Sequence, residues 1–156
     1  RAAIARDAGV RMLMIAPMVS GVAALADLAS HAGLPIMAHP AMAGGARIAP
    51  PLLLGKLFRL FGADATIFPN DGGRFGYPAA MCGAIADAAR QQWHGLAPAM
   101  PVPAGGMTLA RVPEMRARYG DDAMLLIGGG LLLARDELPA RCRAFVAAVA
   151  ALEDAE

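Results

Sequence analysis

Short apolar runs alternate with longer alanine-rich segments along the whole of this chain. The runs have the length of β-strands, and the segments between them carry apolar residues at helical spacing, as at Leu53, Leu57 and Leu60. The predicted strands are residues 11–16, 34–39, 65–68, 100–104 and 123–127. The predicted helices are residues 20–31, 49–61, 77–93, 109–119 and 134–152. Repeated strand–helix units indicate parallel strands joined by right-handed crossovers.

Two architectures fit this alternation. The chain has 156 residues, which suits one domain, and 57% of them are hydrophobic while 17% are charged. That composition favours strands buried on both faces. The units could form an open doubly wound sheet or the C-terminal part of an eight-stranded βα barrel, and in both a ligand binds at the carboxyl ends of the strands. Gly33, Gly62 and Gly120 are predicted to end helices.

Several classes of protein are disfavoured by charge and composition. A formal net charge of +1 argues against a nucleic-acid surface. The long uncharged stretch 91–110 contains prolines and glycines that a membrane span could not accommodate. Cys82 and Cys142 lack metal-site spacing, so we expect buried free thiols and a cytoplasmic protein. The chain begins on Arg1 inside a helical segment, and we expect it to be part of a longer protein.

Two glycine clusters follow successive predicted strands. Gly105 and Gly106 come after residues 100–104, and Gly128 and Gly129 open a glycine triplet after residues 123–127. Glycine lets backbone N–H groups approach an anion closely, and the loops after the last two strands of a βα barrel often hold a phosphate. We therefore predict a phosphate site here; the alternative is that the glycines only form tight turns.

Polar residues follow two other predicted strands. His39 ends an apolar run, where it could transfer protons near neutral pH or be packed against a carbonyl group. Residues 69–78, "PNDGGRFGYP", form a glycine-rich loop that could close over a ligand. In this loop Asn70 and Asp71 could bind hydroxyl groups and Arg74 could hold an anion, or the loop could be an ordinary surface turn.

The segments "LPIMAHPAMAGG" and "PVPAGGMTLARVPEMRARYGDDAMLLIGGG" resemble the C-terminal half of the RuBisCO large-subunit superfamily. The resemblance implies that residues 1–156 are a partial TIM-barrel domain containing strands four to eight, with the N-terminal α+β domain and strands one to three absent. By this resemblance Gly105 and Gly106 match the phosphate turn after strand seven, and Gly128 and Gly129 match its partner after strand eight. His39 matches the strand-five histidine, and residues 69–78 match the mobile closing loop.

The chain departs from the carboxylating enzymes at several positions. Pro40 replaces an arginine of the second phosphate site, and Phe68 replaces a histidine of that site. Ala104 replaces the serine of the strand-seven turn, and the closing-loop lysine falls near Arg74 and Phe75. One phosphate site is thus kept, and the chain is identified as a member of the RuBisCO-like (type IV) proteins.

The resemblance implies an enzyme that stabilises an enolate with Mg²⁺. Its expected substrate is a singly phosphorylated keto-sugar acid, and the expected reaction is a carbon–carbon lyase or hydrolase reaction: decarboxylation or transcarboxylation–hydrolysis of the 3-oxo-isoapionate 4-phosphate type. The alternatives are an enolase or isomerase of a thiomethyl sugar phosphate, a true ribulose-bisphosphate carboxylase, or a non-catalytic phosphate-binding barrel. The magnesium ligands, including a carbamylated lysine, are expected on strand two, outside this chain. A homodimer is also implied, with no nucleic acid or membrane as a partner.

Overall fold

A computed structural model of the chain describes residues 1–152. It contains a parallel sheet of four strands, β1 (Leu13–Ile15), β2 (Ile36–Ala38), β3 (Ala65–Pro69) and β4 (Met100–Ala104). The strands lie in the order β1-β2-β3-β4, so each is hydrogen-bonded to the next one along the chain. A doubly wound sheet reverses its strand order, whereas a barrel does not. The topology is therefore that of a barrel segment.

The fifth predicted strand, residues 123–127, forms only one isolated parallel bridge, between Leu126 and Ala104. The N–H groups of Met124 and Leu126 donate to the carbonyl oxygens of Pro101 and Pro103, at 3.0 and 3.4 Å. The two prolines have no N–H group to donate in return, so half of the ladder on this side of β4 is missing. This is why the segment pairs with β4 without becoming a regular strand.

Helices connect the strands on one side of the sheet. The α-helices are α1 (Ala2–Asp7), α2 (Pro17–Ser20), α3 (Val22–His31), α4 (Phe58–Leu60), α5 (Ala79–Arg90), α6 (Val112–Tyr119), α7 (Gly129–Leu132) and α8 (Leu138–Ala150). Turns of 3-10 helix cover Ala43–Gly45, Leu109–Arg111 and Arg135–Glu137. As predicted, the three glycines that follow α3, α4 and α6 have positive φ angles.

The predicted helix 49–61 is mostly a π-helix, Pro51–Leu57, which continues into α4. Its Gly55 lies against α5 so closely that a Cβ atom there would be 2.5 Å from the Cβ atom of Ala88. The hydroxyl group of Thr66 in β3 donates to the carbonyl oxygen of Leu54 at 2.7 Å. The segment is therefore fixed from both sides, by the helix next to it and by the sheet beneath it.

Apolar residues cover both faces of the sheet, as the composition indicated. Residues on the helix side, among them Ile36, Phe58 and Phe68, belong to the larger core. Met37, Ile67 and Val102 point to the opposite face and form a second cluster, which is the barrel interior. Strand residues alternate between these two clusters with the period of two that a β-strand requires.

Both cysteines are free, but only Cys82 is buried. Burial raises the pKa of its thiol. Cys142 on α8 is partly exposed, so the prediction of two buried thiols is wrong for this residue. The helices within residues 1–152 are too short or too polar for any of them to cross a bilayer.

Candidate active site at the carboxyl ends of the strands

The predicted site residues follow the carboxyl ends of neighbouring strands. His39 follows β2, Asn70 follows β3, Gly105 follows β4, and Gly128 follows the bridged segment. Because the strands are parallel and adjacent, these ends lie along one rim of the sheet. The bridge between Ala104 and Leu126 sets the two glycine clusters beside each other.

Both glycine clusters leave backbone N–H groups unbonded. Gly105 and Gly106 are exposed and have φ angles of +92° and +64°. Among the hydrogen bonds of residues 1–152, none uses the N–H group of Gly105, Gly106 or Gly128. A Cβ atom at Gly128 or Gly129 would meet no other atom within 4 Å, so there is open space in front of this turn. Unbonded N–H groups in two adjacent glycine turns suit the binding of an anion.

The Gly105–Gly106 turn also contacts the loop that follows β3. A Cβ atom at Gly106 would lie 2.5 Å from the carbonyl carbon and oxygen of Gly72. A Cβ atom at Gly73 would lie 3.0 Å from the carbonyl carbon of Gly105. Glycine at position 106 is thus required by a backbone–backbone contact, in addition to any contact with an anion, and Gly73 leaves little room for a side chain.

His39 is held by two backbone hydrogen bonds. Its own N–H group donates to the carbonyl oxygen of Ile15 at 2.7 Å. Its ring nitrogen Nδ1 accepts from the N–H group of Ala41 at 3.1 Å. The alternative that the sequence left open was a packed histidine bonded to a carbonyl group. An Nδ1 atom that accepts places the proton of the neutral ring on Nε2. In this arrangement the half-buried ring presents a hydrogen-bond donor at Nε2.

Asn70 lies in the core and not at the ligand-facing rim. Its side chain is fully buried, its Oδ1 atom accepts from the Tyr119 hydroxyl group at 2.6 Å, and its Nδ2 atom donates to Met115 Sδ at 3.3 Å. Its backbone N–H group donates to Ala104 at 2.8 Å. The expected contact of Asn70 with a ligand is therefore corrected: the residue anchors the base of the loop against α6. Burial raises the pKa of Tyr119 to about 12.

Asp71 is held by two arginines that the sequence analysis did not single out. Its Oδ1 atom pairs with Arg118 and lies 3.4 Å from Arg111 Nη2, and its carbonyl oxygen accepts from Arg111 Nη1 at 2.8 Å. Glu114 pairs with Arg111 at 3.0 Å and with Arg118 at 2.7 Å. The spacing of residues 111, 114 and 118 on one helical face was the available signal.

Arg74 is at the exposed tip of the same loop. Its guanidinium carbon lies 4.9 Å from the centre of the Phe75 ring, and the Phe75 side chain is also exposed. Asp71 is thus connected to the glycine turn by Arg111, which contacts both. Arg74 instead packs on the Phe75 ring. The predicted clamping of an anion by Arg74 stays a prediction.

A cavity of about 580 Å³ opens on the α8 side of the two turns. Its lining is mainly apolar and includes Leu109, Ile127, Leu131 and Phe145, together with the charged Arg141. Within residues 1–152, no group of three or more His, Cys, Asp or Glu side chains could hold a metal ion. These residues do not fit the expected Mg²⁺ ion, and its ligands would have to come from another part of the protein.

Comparison with known proteins shows close relatives, although no family model matches the chain. The chain is 54% identical over 148 residues to ribulose bisphosphate carboxylase-like protein 1 of Rhodopseudomonas palustris, covering 94% of this chain and 40% of that protein. It is 56% identical over 145 residues to 5-methylthioribulose-1-phosphate isomerase of Rhodospirillum rubrum, covering 92% and 39%. It is 38% identical over 104 residues to 2,3-diketo-5-methylthiopentyl-1-phosphate enolase of Geobacillus thermodenitrificans, covering 63% and 25%. The chain spans about 40% of the length of the first two relatives.

Solved structures agree in fold over nearly the whole chain. The Rubisco-like protein of Rhodopseudomonas palustris superposes with a TM-score of 0.81 at 49% identity, covering 96% of this chain and 40% of that one. A rubisco-like protein of Alicyclobacillus acidocaldarius gives 0.87 at 31% identity, covering 99% and 41%. The octameric Rubisco of Pyrococcus horikoshii gives 0.83 at 26% identity, covering 99% and 40%. The order of strands and the position of the rim are thus those of an established barrel.

Proposed function

Because the chain belongs to the RuBisCO superfamily, among its RuBisCO-like proteins, and corresponds to the C-terminal part of their barrel, we propose that it is part of an isomerase or enolase of a methylthio-substituted sugar phosphate. The observation that carries the proposal is 56% identity, over 92% of the chain, to a protein named 5-methylthioribulose-1-phosphate isomerase. A relative named as an enolase of a related diketone phosphate supports the same substrate class. These names favour the alternative over decarboxylation or transcarboxylation–hydrolysis of an oxo-isoapionate phosphate.

The proposed substrate has one phosphate group, which suits one pair of glycine turns. The N–H groups of Gly105, Gly106, Gly128 and Gly129 would bind the phosphate, and the open space in front of Gly128 and Gly129 leaves room for it. Pro40, which the family resemblance places at the second phosphate site, brings no charge that would bind another phosphate. Phe68 is fully buried in the helix-side core, so the expected place of its side chain in that site is corrected. The glycine turns would therefore bind the phosphate end of the substrate. The part of the site that faces the other end of the substrate would lack a second phosphate-binding charge.

An isomerase that moves a carbonyl group along a sugar removes a proton beside that carbonyl and returns one elsewhere, while an enolase stops at the enol. In both, negative charge develops on the carbonyl oxygen. His39 Nε2–H would donate to such an oxygen, since Nδ1 is occupied by the Ala41 N–H group. A bound Mg²⁺ ion would stabilise the same charge, with ligands from outside the described residues. The base that removes the proton would also come from outside them.

Assays of the intact protein with three substrates distinguish the candidate reactions. Incubation with 5-methylthioribulose 1-phosphate in D₂O should give an isomer that carries deuterium, detected by ¹H and ³¹P NMR. The diketone phosphate should give ultraviolet absorbance of an enol if the protein is an enolase. Release of CO₂ from 3-oxo-isoapionate 4-phosphate, faster than either of these reactions, would overturn the proposal. Phosphate binding without turnover of any substrate would indicate a non-catalytic barrel.

Gly129→Ala tests the phosphate site without disturbing the chain. The added methyl group meets no protein atom within 4 Å, so we expect normal folding and a KM for the phosphorylated substrate raised about tenfold or more, because the methyl group enters the anion's space. Gly83→Ala, in α5 and equally free of contacts, is the matched control and should leave KM unchanged. An unchanged KM in Gly129→Ala would exclude this turn from phosphate binding.

We propose a homodimer for the intact protein. An octameric Rubisco and a dimeric one, the latter from Hyperthermus butylicus, are among the structures that this chain resembles. Light scattering coupled to size-exclusion chromatography would give the mass directly, and a monomer at micromolar concentration would contradict the proposal.

A further inference from the structure

The loop that follows β3 is anchored at its base by buried contacts. Asn70 is fully buried and bonded to α6 through Tyr119 and Met115. The next residue, Asp71, has a side chain that is 24% exposed, and it is paired with Arg111 and Arg118, which are 20% and 26% exposed. Beyond Asp71 the loop passes directly over the Gly105–Gly106 turn.

Arg111 contacts both of these segments with one guanidinium group. Its Nη1 atom donates to the carbonyl oxygen of Asp71 at 2.8 Å and lies 3.4 Å from the carbonyl oxygen of Gly106. Its Nε atom donates to Glu114 at 3.0 Å, which orients the planar group from the helix side. A planar donor with several N–H groups can hold partners on different segments at once, whereas a lysine ammonium group cannot do so in the same geometry.

The charges in this cluster balance. Arg111 and Arg118 carry two positive charges, and Asp71 and Glu114 carry two negative charges. Without the arginines, the Asp71 carboxylate would lie beside the turn and repel an approaching phosphate. Arg111 and Arg118 together neutralise Asp71, and Arg111 also contacts the Gly106 carbonyl group at the end of the turn.

We propose that Arg111 is a positioning residue that couples the β3 loop to the phosphate turn, an inference that rests on the proposed function. Phosphate bound at Gly105–Gly106 holds the turn in the geometry that the loop contacts, and so it holds residues 71–76 in place. By thermodynamic linkage, the docked loop strengthens phosphate binding by the same factor. Since the ion pairs are partly exposed, we expect a coupling of about 5- to 30-fold, near the low end of the usual range.

Limited trypsin digestion of the intact protein measures this coupling. Arg74 lies at the exposed loop tip, and the rate of cleavage after it reports how often the loop leaves the turn. In the wild-type protein, saturating inorganic phosphate should slow this cleavage about 5-fold or more. In Arg111→Gln the cleavage should be faster and should no longer respond to phosphate. Arg111→Lys should recover little of the response, because charge without the planar fork cannot hold both segments.

Arg6→Gln is the matched control, since Arg6 pairs with Asp7 in α1 and should leave the phosphate response intact. Asp71→Asn tests the same connection from the loop side if Arg111→Gln fails to fold, and it should also reduce the response. Binding of inorganic phosphate is followed separately by calorimetry. Phosphate that binds without changing cleavage in the wild-type protein would overturn the coupling alone. Absence of phosphate binding would overturn the phosphate site and the coupling together.

Discussion

The hydrogen bond from the Ala41 N–H group to His39 Nδ1 decides what this side chain can do. It leaves a donor at Nε2 in the neutral ring, which suits stabilisation of a developing oxyanion. We expect ¹⁵N NMR of the intact protein to show the Nε2–H tautomer. We also expect His39→Ala to lower kcat about 10²- to 10³-fold, as the loss of an oxyanion donor does. His39→Gln, which retains an N–H donor, should lose less. Wild-type turnover in His39→Ala would make the residue structural.

Tyr119 gives the stability of the protein a dependence on alkaline pH. Burial raises its pKa from 10.0 to about 12, so the folded protein keeps the phenol proton after the unfolded chain has lost it near pH 10. The protonated phenol of Tyr119 therefore stabilises the folded protein fully below pH 10, and this stabilisation is lost as the pH rises from 10 to 12. Urea unfolding should show this decrease, and Tyr119→Phe should reduce it.

Tyr119→Phe should also lower stability below pH 10, because Asn70 Oδ1 loses its donor inside the core; the expected cost is about 1–3 kcal/mol. Tyr77→Phe, at the only other tyrosine of the sequence, is the control and should leave the decrease from pH 10 to 12 in place. An unchanged pH profile in Tyr119→Phe would contradict the assignment to Tyr119.

Which side chains face the rim was only partly predictable from the sequence. Thr66, Phe68 and Asn70 are all fully buried, and they lie two residues apart, as residues on one face of a strand do. Ending the predicted strand at residue 68 hid this alternation and assigned Asn70 to the ligand side. The role of Arg111 was hidden for another reason: its partner in the loop, Asp71, is 40 residues away, and only the fold brings the two together.

Among the elements, the contact of the π-helix with α5 depends on one glycine. Gly55→Ala would place a methyl group 2.5 Å from the Cβ atom of Ala88, and we expect it to lower the free energy of unfolding by about 1–3 kcal/mol. Adding Ala88→Gly should restore part of this loss, because it removes the clashing methyl group. Gly83→Ala should instead stabilise α5 by about 0.5–1 kcal/mol. Urea unfolding of these three variants and of Ala88→Gly alone measures these effects, and additive losses in the double variant would contradict the contact.

The positions of the elements followed from periodicity, but two of their internal structures did not. Apolar spacing located residues 49–61 as a helix, yet it does not distinguish an α-helix from the wider turns of Pro51–Leu57. The apolar run 123–127 was predicted as a strand from its own residues. Its pairing is limited by the two prolines of the neighbouring strand β4. The residues of the run itself give no sign of this limit.

At the scale of the whole molecule, the sheet of residues 1–152 is not closed. β1 is paired on one side only, and Met14 within it is 56% exposed. An unpaired strand edge beside exposed apolar side chains favours self-association. We therefore expect the 156-residue chain, expressed alone, to elute from size-exclusion columns as an oligomer or aggregate. It should not turn over methylthio-sugar phosphates. A monomeric and active 156-residue protein would contradict this expectation.

The contact between the Gly72–Gly73 and Gly105–Gly106 backbones has a consequence for how this protein can evolve. A side chain cannot appear at Gly106 unless the β3 loop withdraws, and none can appear at Gly73 unless the turn moves. The fitness effect of a substitution in one loop therefore depends on the residue present in the other. The two loops, more than 30 positions apart in the sequence, should therefore change together or remain constant together during evolution.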